Sequence, residues 1–296
     1  MKKGINYWSF PGVLSGKPKF DLQSCMELAK DAGFEGIELA IDEQGEINLT
    51  SSERSIRNIA RIAKEIGLEI ISLATLLFRR YSLTSSDQKN KEKAQEIVKK
   101  MLEIAFNLGT DAILILPGAV EFPGCKCREV IPYDLAHERA VNVLGEIIPI
   151  AQKYKICIAL ENAVWNKFLL SPLEIRKFVD TLGSEYVGVY VDVGNILAIG
   201  GVPEDWIKIL DQRVRKVHIK DFRTSVGNIN GFVNLLEGDV NWKGVITSLN
   251  KIGYSDYLTA EISAYSQFPE ALIYNISKSM DFILGREGSG INKDEL

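Results

Sequence analysis

The sequence predicts a single-domain (β/α)8 barrel, and three observations carry that expectation. Short apolar runs alternate with amphipathic helical stretches eight times in 296 residues, which is the arithmetic of this fold. The runs are nearly continuous in apolar character, as expected of parallel strands covered on both faces. The rival, an open doubly wound sheet, usually carries a G-x-G-x-x-G turn after its first strand. Here SFPGVLSG follows that strand and lacks the spacing. The barrel is expected over residues 1–285, with a polar C-terminal tail at 286–296.

GINYWSF (4–10) reads as the first strand, and DLQSCMELAKDAG as a helix stopping at Gly33. GIELA (36–40) is the second strand and carries Glu38. SSERSIRNIARIAKEIG has Ser/Glu start chemistry and ends on Gly67. LEIISLAT (68–75) is the third strand, followed by a long helix over 89–108. DAILILPG (111–118) is the fourth; a proline-bearing loop then leads to a helix over 133–154. KICIALEN (155–162) is the fifth strand, and Ser171 with Pro172 opens the next helix. VGVYVDVGN (187–195) is the sixth, before a proline-opened helix, PEDWIKILDQR. VRKVHIKDF (214–222) is the seventh; a Gly/Asn-rich loop and WKGVITSLNKIG precede YLTAEIS (257–263), the eighth. A helix over 269–284 closes the count. The loops at 117–132 and 223–241 are the longest, and both follow strands, where a barrel builds its active face.

Composition excludes several classes. A net charge of −4 and a pI near 5.5 give no general attraction to nucleic acid. No apolar run is long enough to span a membrane. The N-terminus has no continuous apolar core of the kind a signal peptide needs, and four cysteines form no disulfide framework, so a reducing cytoplasm is expected. Cys125 and Cys127 read as loop thiols. The final KDEL resembles a retention signal, but without a leader it is read as chance in the polar tail.

Four strand ends carry chemistry. KICIALEN ends on Glu161, GVYVDVGN holds Asp192, RKVHIKDF holds His218 and YLTAEIS holds Glu261. Burying four polar groups there is costly unless something pairs them. Strands five to eight are neighbours in a closed barrel, so these side chains can converge at one side of its mouth. Three carboxylates and an imidazole suit one divalent cation: Mn²⁺ first, with Mg²⁺, Co²⁺ or Zn²⁺ as alternatives. Taken singly, His218 also reads as a hydrogen-bonded core histidine and Asp192 as a cap for the turn at Gly194. Glu161 and Glu261 are harder to explain that way, because buried glutamates are rare without partners. His137, in LAHERA, reads as a surface residue.

With these residues in place, the chain resembles the sugar isomerase/epimerase superfamily with the xylose-isomerase-like barrel. That group includes ketose 3-epimerases, hexulose-phosphate isomerase-like proteins and endonuclease IV. The matching stretches are GFEGIEL (33–39), ALEN (159–162), VGVYVDVGN (187–195), KVHIKDF (216–222), LLEGDVNW (235–242) and LTAEI (258–262). They cover almost the whole chain. The resemblance implies that Glu161, Asp192, His218 and Glu261 bind one divalent metal. It implies too that Glu161 and Glu261 form the acid–base pair of an epimerase. Epimerisation beside a ketone needs a proton taken from one face and returned to the other, which two carboxylates can do.

Two positions depart from many ketose 3-epimerases: Asn195 stands in place of a histidine, and Lys167 in place of an acid. Lys167 reads either as a contact for an anionic or phosphorylated substrate or as a solvated loop lysine. Arg223 fits the family's substrate-contacting arginine, and Lys220 fits the lysine of H-x-K-D. Glu38 is expected to approach the mouth from the opposite wall, to bind a hydroxyl or an internal lysine. Trp8 and Trp165 are expected to form apolar walls against a sugar face or to plug the barrel end. In LEGDVNW, Gly238 permits a turn and Asp239 or Asn241 starts the last helix before Trp242.

The implied function is a metal-dependent epimerase or isomerase acting on a sugar or sugar phosphate through an enediolate. The implied assembly is a homodimer or homotetramer. An inosose dehydratase-like lyase and a non-catalytic sugar-binding relative are the alternatives. Endonuclease IV-like repair is disfavoured, because two histidines and an acidic pI suit neither a three-metal cluster nor DNA.

Overall fold

Eight parallel strands close into a barrel in the computed structural model, which describes residues 1–121, 129–265 and 267–286. In chain order the elements are β1 (Lys2–Asn6), α1 (Leu22–Asp31), β2 (Gly36–Ala40), α2 (Glu53–Ile66), β3 (Glu69–Ala74), α3 (Gln88–Leu108), β4 (Ala112–Ile115) and α4 (Tyr133–Tyr154). Then come β5 (Cys157–Glu161), α5 (Pro172–Leu182), β6 (Val187–Asp192), α6 (Val193–Ala198), α7 (Pro203–Leu210) and β7 (Val214–Ile219). The chain ends with β8 (Asp221–Phe222), β9 (Phe232–Val233), α8 (Trp242–Lys251), β10 (Tyr257–Ala260) and α9 (Pro269–Ile283). Around the barrel the order is β1, β10, β7, β6, β5, β4, β3, β2. The expected (β/α)8 architecture is therefore what the chain adopts. Cys125, Cys127 and the KDEL terminus lie outside the described residues. Among the described residues, no helix is long and apolar enough to cross a membrane.

Local chemistry sets the helix ends. Side chains of Asp21, Ser52, Asp87, Ser171 and Asn241 accept from backbone N–H groups in the first turns they precede, satisfying donors that a helix start leaves unpaired. Gly67 closes α2 at φ +82°, the left-handed region that favours glycine. Apolar residues facing outward from the strands pack against the helices as one continuous core. Inside the barrel, Ala74, Leu114, Ala159 and Tyr190 form a smaller cluster beneath Trp8.

Several strands are shorter than the sequence reading, and three of these differences bring a side chain to the mouth. β1 stops at Asn6, because the Asn6 side chain accepts from Trp8 N at 2.6 Å and starts a 3-10 turn over Tyr7–Ser9. β6 stops at Asp192, whose Oδ1 accepts from Asn195 N at 2.9 Å and caps α6. The seventh strand ends at Ile219, and the Gly/Asn-rich loop contains an antiparallel hairpin pairing Asp221 with Val233 and Phe222 with Phe232.

The hairpin is held by Asp221. Its buried carboxylate accepts from Phe222 N, Leu236 N, Val240 N and Trp242 Nε1. Gly238 is needed here for space rather than for its dihedral freedom, since a Cβ would stand 2.2 Å from Asp221 Oδ1.

Candidate active site

Each of the four strand-end residues reaches one point at the carboxyl end of the barrel. Glu161 is the last residue of β5 and Asp192 the last of β6. Asn162 joins them: its Oδ1 accepts from Asp192 N at 2.8 Å, and its Nδ2 donates to Asp192 O at 3.0 Å. His218 sits opposite Asp192 in the β6–β7 register. Glu261 follows β10, and its N–H extends the pairing by donating to Ile219 O at 3.1 Å. One ligand atom from each of the four lies within 4.8 Å of the others. His218 Nδ1 is 3.5 Å from Glu161 Oε1 and 3.8 Å from Glu261 Oε2. That nitrogen is buried and has no hydrogen-bond partner. An orphaned imidazole nitrogen facing three carboxylates is a donor set that fits one divalent cation.

The floor of the site is a buried polar network. Glu38 is fully buried; its Oε1 accepts from Asn6 Nδ2 and, at 2.7 Å, from His218 Nε2. Its Oε2 accepts from Ser72 Oγ at 2.5 Å. Burial alone would raise the Glu38 carboxyl; the charge of His218 and hydrogen bonds from His218, Ser72 and Tyr190 outweigh it and hold the group below its ordinary value. An ionised Glu38 only accepts, so His218 Nε2 bears a proton and Nδ1 faces the carboxylates; burial opposes the His218 charge, but Glu38, Glu161 and Glu261 raise its pKa well above the ordinary value. This corrects the expectation for Glu38. It is not among the residues lining the cavity and, among the described residues, pairs with no lysine; it orients His218 from below.

Lys220 is the cation of the cluster. Its Nζ is 2.7 Å from Asp192 Oδ2 and 2.5 Å from Glu261 Oε2, and it lies over the Phe232 ring. Burial opposes the Lys220 charge, but Asp192, Glu261 and Glu161 raise its pKa. Burial raises the Glu261 carboxyl, yet Lys220, His218 and Arg79 together hold it below its ordinary value. Asp192 is pushed up to about 6 by burial, against the pull of Lys220 and with the help of Glu161 and Glu261. Asp192 Oδ1 caps α6, as one reading of the sequence had it, while Oδ2 pairs with Lys220. Gly194 allows this, because a Cβ there would meet Lys220 Cγ at 2.5 Å.

A cavity of about 620 Å³ opens above these groups. Trp8, Trp165, Asn195, Lys220, Glu161 and Glu261 all line it. Besides Glu38, two expected substrate contacts do not. Lys167 sits in a left-handed turn at φ +52°, and its Nζ pairs with Glu121 Oε2 at 2.6 Å, away from the cavity lining. Arg223 is exposed, and its Nε donates to Glu237 O at 2.9 Å. His137 is half-buried against the rings of Phe168 and Phe178 and is a packing residue, not a surface one. The sequence reading missed Arg79, after β3, and the Phe232 wall from the hairpin. Neither stands in a recognisable motif.

The fold and this site define a xylose isomerase-like TIM barrel, and the chain belongs to that family, whose model matches residues 26–284. SgbU of Escherichia coli (strain K12) is 27% identical over 77% of this chain and 78% of its own; its naming as an L-ribulose-5-phosphate 3-epimerase is itself provisional. The L-ribulose-5-phosphate 3-epimerase UlaE of Salmonella heidelberg (strain SL476) is 24% identical over 89% of each chain. Among solved structures, an L-ribulose 3-epimerase superposes with a TM-score of 0.76, at 17% identity over 96% of this chain and 95% of that one. The IOLI protein, solved with a zinc atom, gives 0.77 at 19% identity over 98% and 100%. The named curated relatives are epimerases, which are isomerases.

Proposed function

We propose that this chain is a divalent-metal-dependent sugar epimerase acting at the carbon beside the ketone of a ketose or ketose phosphate. One observation carries the reading: Glu161 and Glu261 both border the cavity while both flank the orphaned His218 Nδ1. Glu161, Asp192, His218 and Glu261 would hold the cation, with Mn²⁺ the first choice among Mn²⁺, Mg²⁺, Co²⁺ and Zn²⁺. Such an ion supplies Lewis-acid stabilisation of the negative charge that develops when a proton leaves the carbon beside a ketone.

The protein's own groups move the proton. Lys220 keeps Glu261 ionised, ready to accept from one face of the substrate. Glu161, arriving from a different strand, can then deliver to the other face. Asn195, at the head of α6, lines the cavity where a substrate hydroxyl would lie. Trp8 and Trp165 supply apolar walls. The names of SgbU and UlaE make L-ribulose 5-phosphate the first substrate to try.

The test is a panel of ketoses and ketose phosphates incubated with the Mn²⁺-loaded protein in D₂O. Deuterium at C3 of recovered sugar and of its epimer is the expected result. Label at C1 or C2 would instead mean aldose–ketose isomerisation, and loss of a hydroxyl would mean dehydration. No exchange with any member would end the reading.

A further inference from the structure

The cavity's positive charges are unequally committed. Lys220 is held between Asp192 and Glu261. Lys167 is paired with Glu121 and Arg223 donates to the Glu237 carbonyl, and neither is among the residues lining the cavity. Arg79 differs from all three. It lines the cavity, and among the described residues no hydrogen bond or ion pair engages its guanidinium.

Its backbone is fixed, although its head is exposed. Arg79 ends the 3-10 turn Leu77–Arg79, with Leu77 and Phe78 buried beside it. Thr75 pins the turn: its Oγ1 accepts from Leu77 N at 3.1 Å and donates to Ile41 O at 2.8 Å. The neighbouring Arg80 is turned outward onto Glu43 at 2.6 Å, so two adjacent arginines are split between the outer surface and the cavity. A planar guanidinium on a rigid turn is suited to bidentate capture of a phosphate or carboxylate.

We propose that Arg79 is the anion-binding side chain of this site, and that the site selects a ketose carrying a phosphate ester distal to the reacting carbon. This rests on the epimerase reading. In a ketopentose 5-phosphate the phosphorus lies three bonds of chain and ester beyond C4, so C3 can sit between Glu161 and Glu261 while the phosphate stands at the rim. Arg79 also supplies the positive charge that the sequence reading sought at Lys167.

The experiment compares kcat/KM for L-ribulose 5-phosphate and L-ribulose in the Mn²⁺-loaded wild type, Arg79→Ala and Arg79→Lys. The ratio of the two constants should fall about 30-fold in Arg79→Ala, the size expected for losing a hydrogen bond to a charged group. Arg79→Lys should recover part of that ratio. A wild type with no preference for the phosphate, or a ratio within twofold of wild type in Arg79→Ala, overturns the assignment and leaves the epimerase reading standing. Calorimetric binding of glycerol 3-phosphate to the same loaded proteins reads the anion site without turnover. At least tenfold weaker binding in Arg79→Ala supports the proposal even if neither ribulose exchanges its C3 proton; equal binding overturns it.

Discussion

Glu38 offers a sharp perturbation, because it is fully buried beneath the carboxylate–histidine cluster and is not among the residues lining the cavity. Its two oxygens accept from Asn6, Ser72 and His218. Alanine would leave those donors unpaired, and at about 1 kcal/mol or more for each, the fold loses at least about 3 kcal/mol. Glutamine is the better probe. Its carbonyl can still accept from His218 and Asn6, and its amide can donate to Ser72 Oγ, so shape and pairing survive while the negative charge goes. Removing the carboxylate partner of a metal-binding histidine typically weakens the metal about 10- to 100-fold. Glu38→Gln is therefore expected to fold normally and to bind Mn²⁺ at least about tenfold more weakly. Isothermal titration of metal-free protein with Mn²⁺, with circular dichroism as the control, measures this. A native spectrum with an affinity within twofold of wild type would refute the idea that Glu38 tunes His218.

Other outcomes follow from the same geometry. Glu161→Gln and Glu261→Gln should each lower C3 proton exchange by at least about 100-fold, the lower range for losing a general acid or base; full exchange in either variant would remove it from the proton path. Asn162→Ala should destabilise the protein by about 2 kcal/mol in urea denaturation, since it unpairs a buried N–H and a buried carbonyl of Asp192. An unchanged midpoint would show that water replaces the amide. Asp221→Ala should cost about 3 kcal/mol through the four donors it abandons; proteolysis within 223–241, absent from the wild type, is its second readout. Lys167→Ala should leave the ratio of kcat/KM for phosphorylated and free ketose within twofold, because its ammonium pairs with Glu121 off the cavity. A selective loss on the phosphate would return Lys167 to the substrate.

The strand ends were legible because each broke a local rule. Glu161, Asp192, His218 and Glu261 follow apolar runs, where an unpaired polar group is expensive. Counting strands then made those runs neighbours. Glu38 broke the same rule in GIELA, but its depth was not readable. A register irregularity between Ile37 and Glu38 sets Glu38 opposite Ser72, and only that alignment separates the floor of a barrel from its mouth. The hairpin of β8 and β9 escaped for another reason. Two-residue strands carry no periodicity, and the carboxylate that organises them, Asp221, follows a lysine in a motif already explained by His218.

The cations were the least legible residues, for a reason that bears on specificity. A buried acid must be explained by its neighbours, so its presence in an apolar run narrows the possibilities. An exposed lysine or arginine needs no partner, so sequence cannot say which way it points. Lys167 looked meaningful because it replaced an acid; a left-handed turn sends it to Glu121 instead. Arg79 looked ordinary beside Arg80, yet the turn pinned by Thr75 divides the pair between cavity and surface. In the proposed reaction the proton chemistry lies at buried strand ends, where folding energetics constrain the residue type. In the same proposal the choice of substrate falls to exposed side chains on the connecting turns, such as Arg79. Relatives sharing this fold can therefore keep the carboxylate–histidine cluster and still differ in the sugar they take.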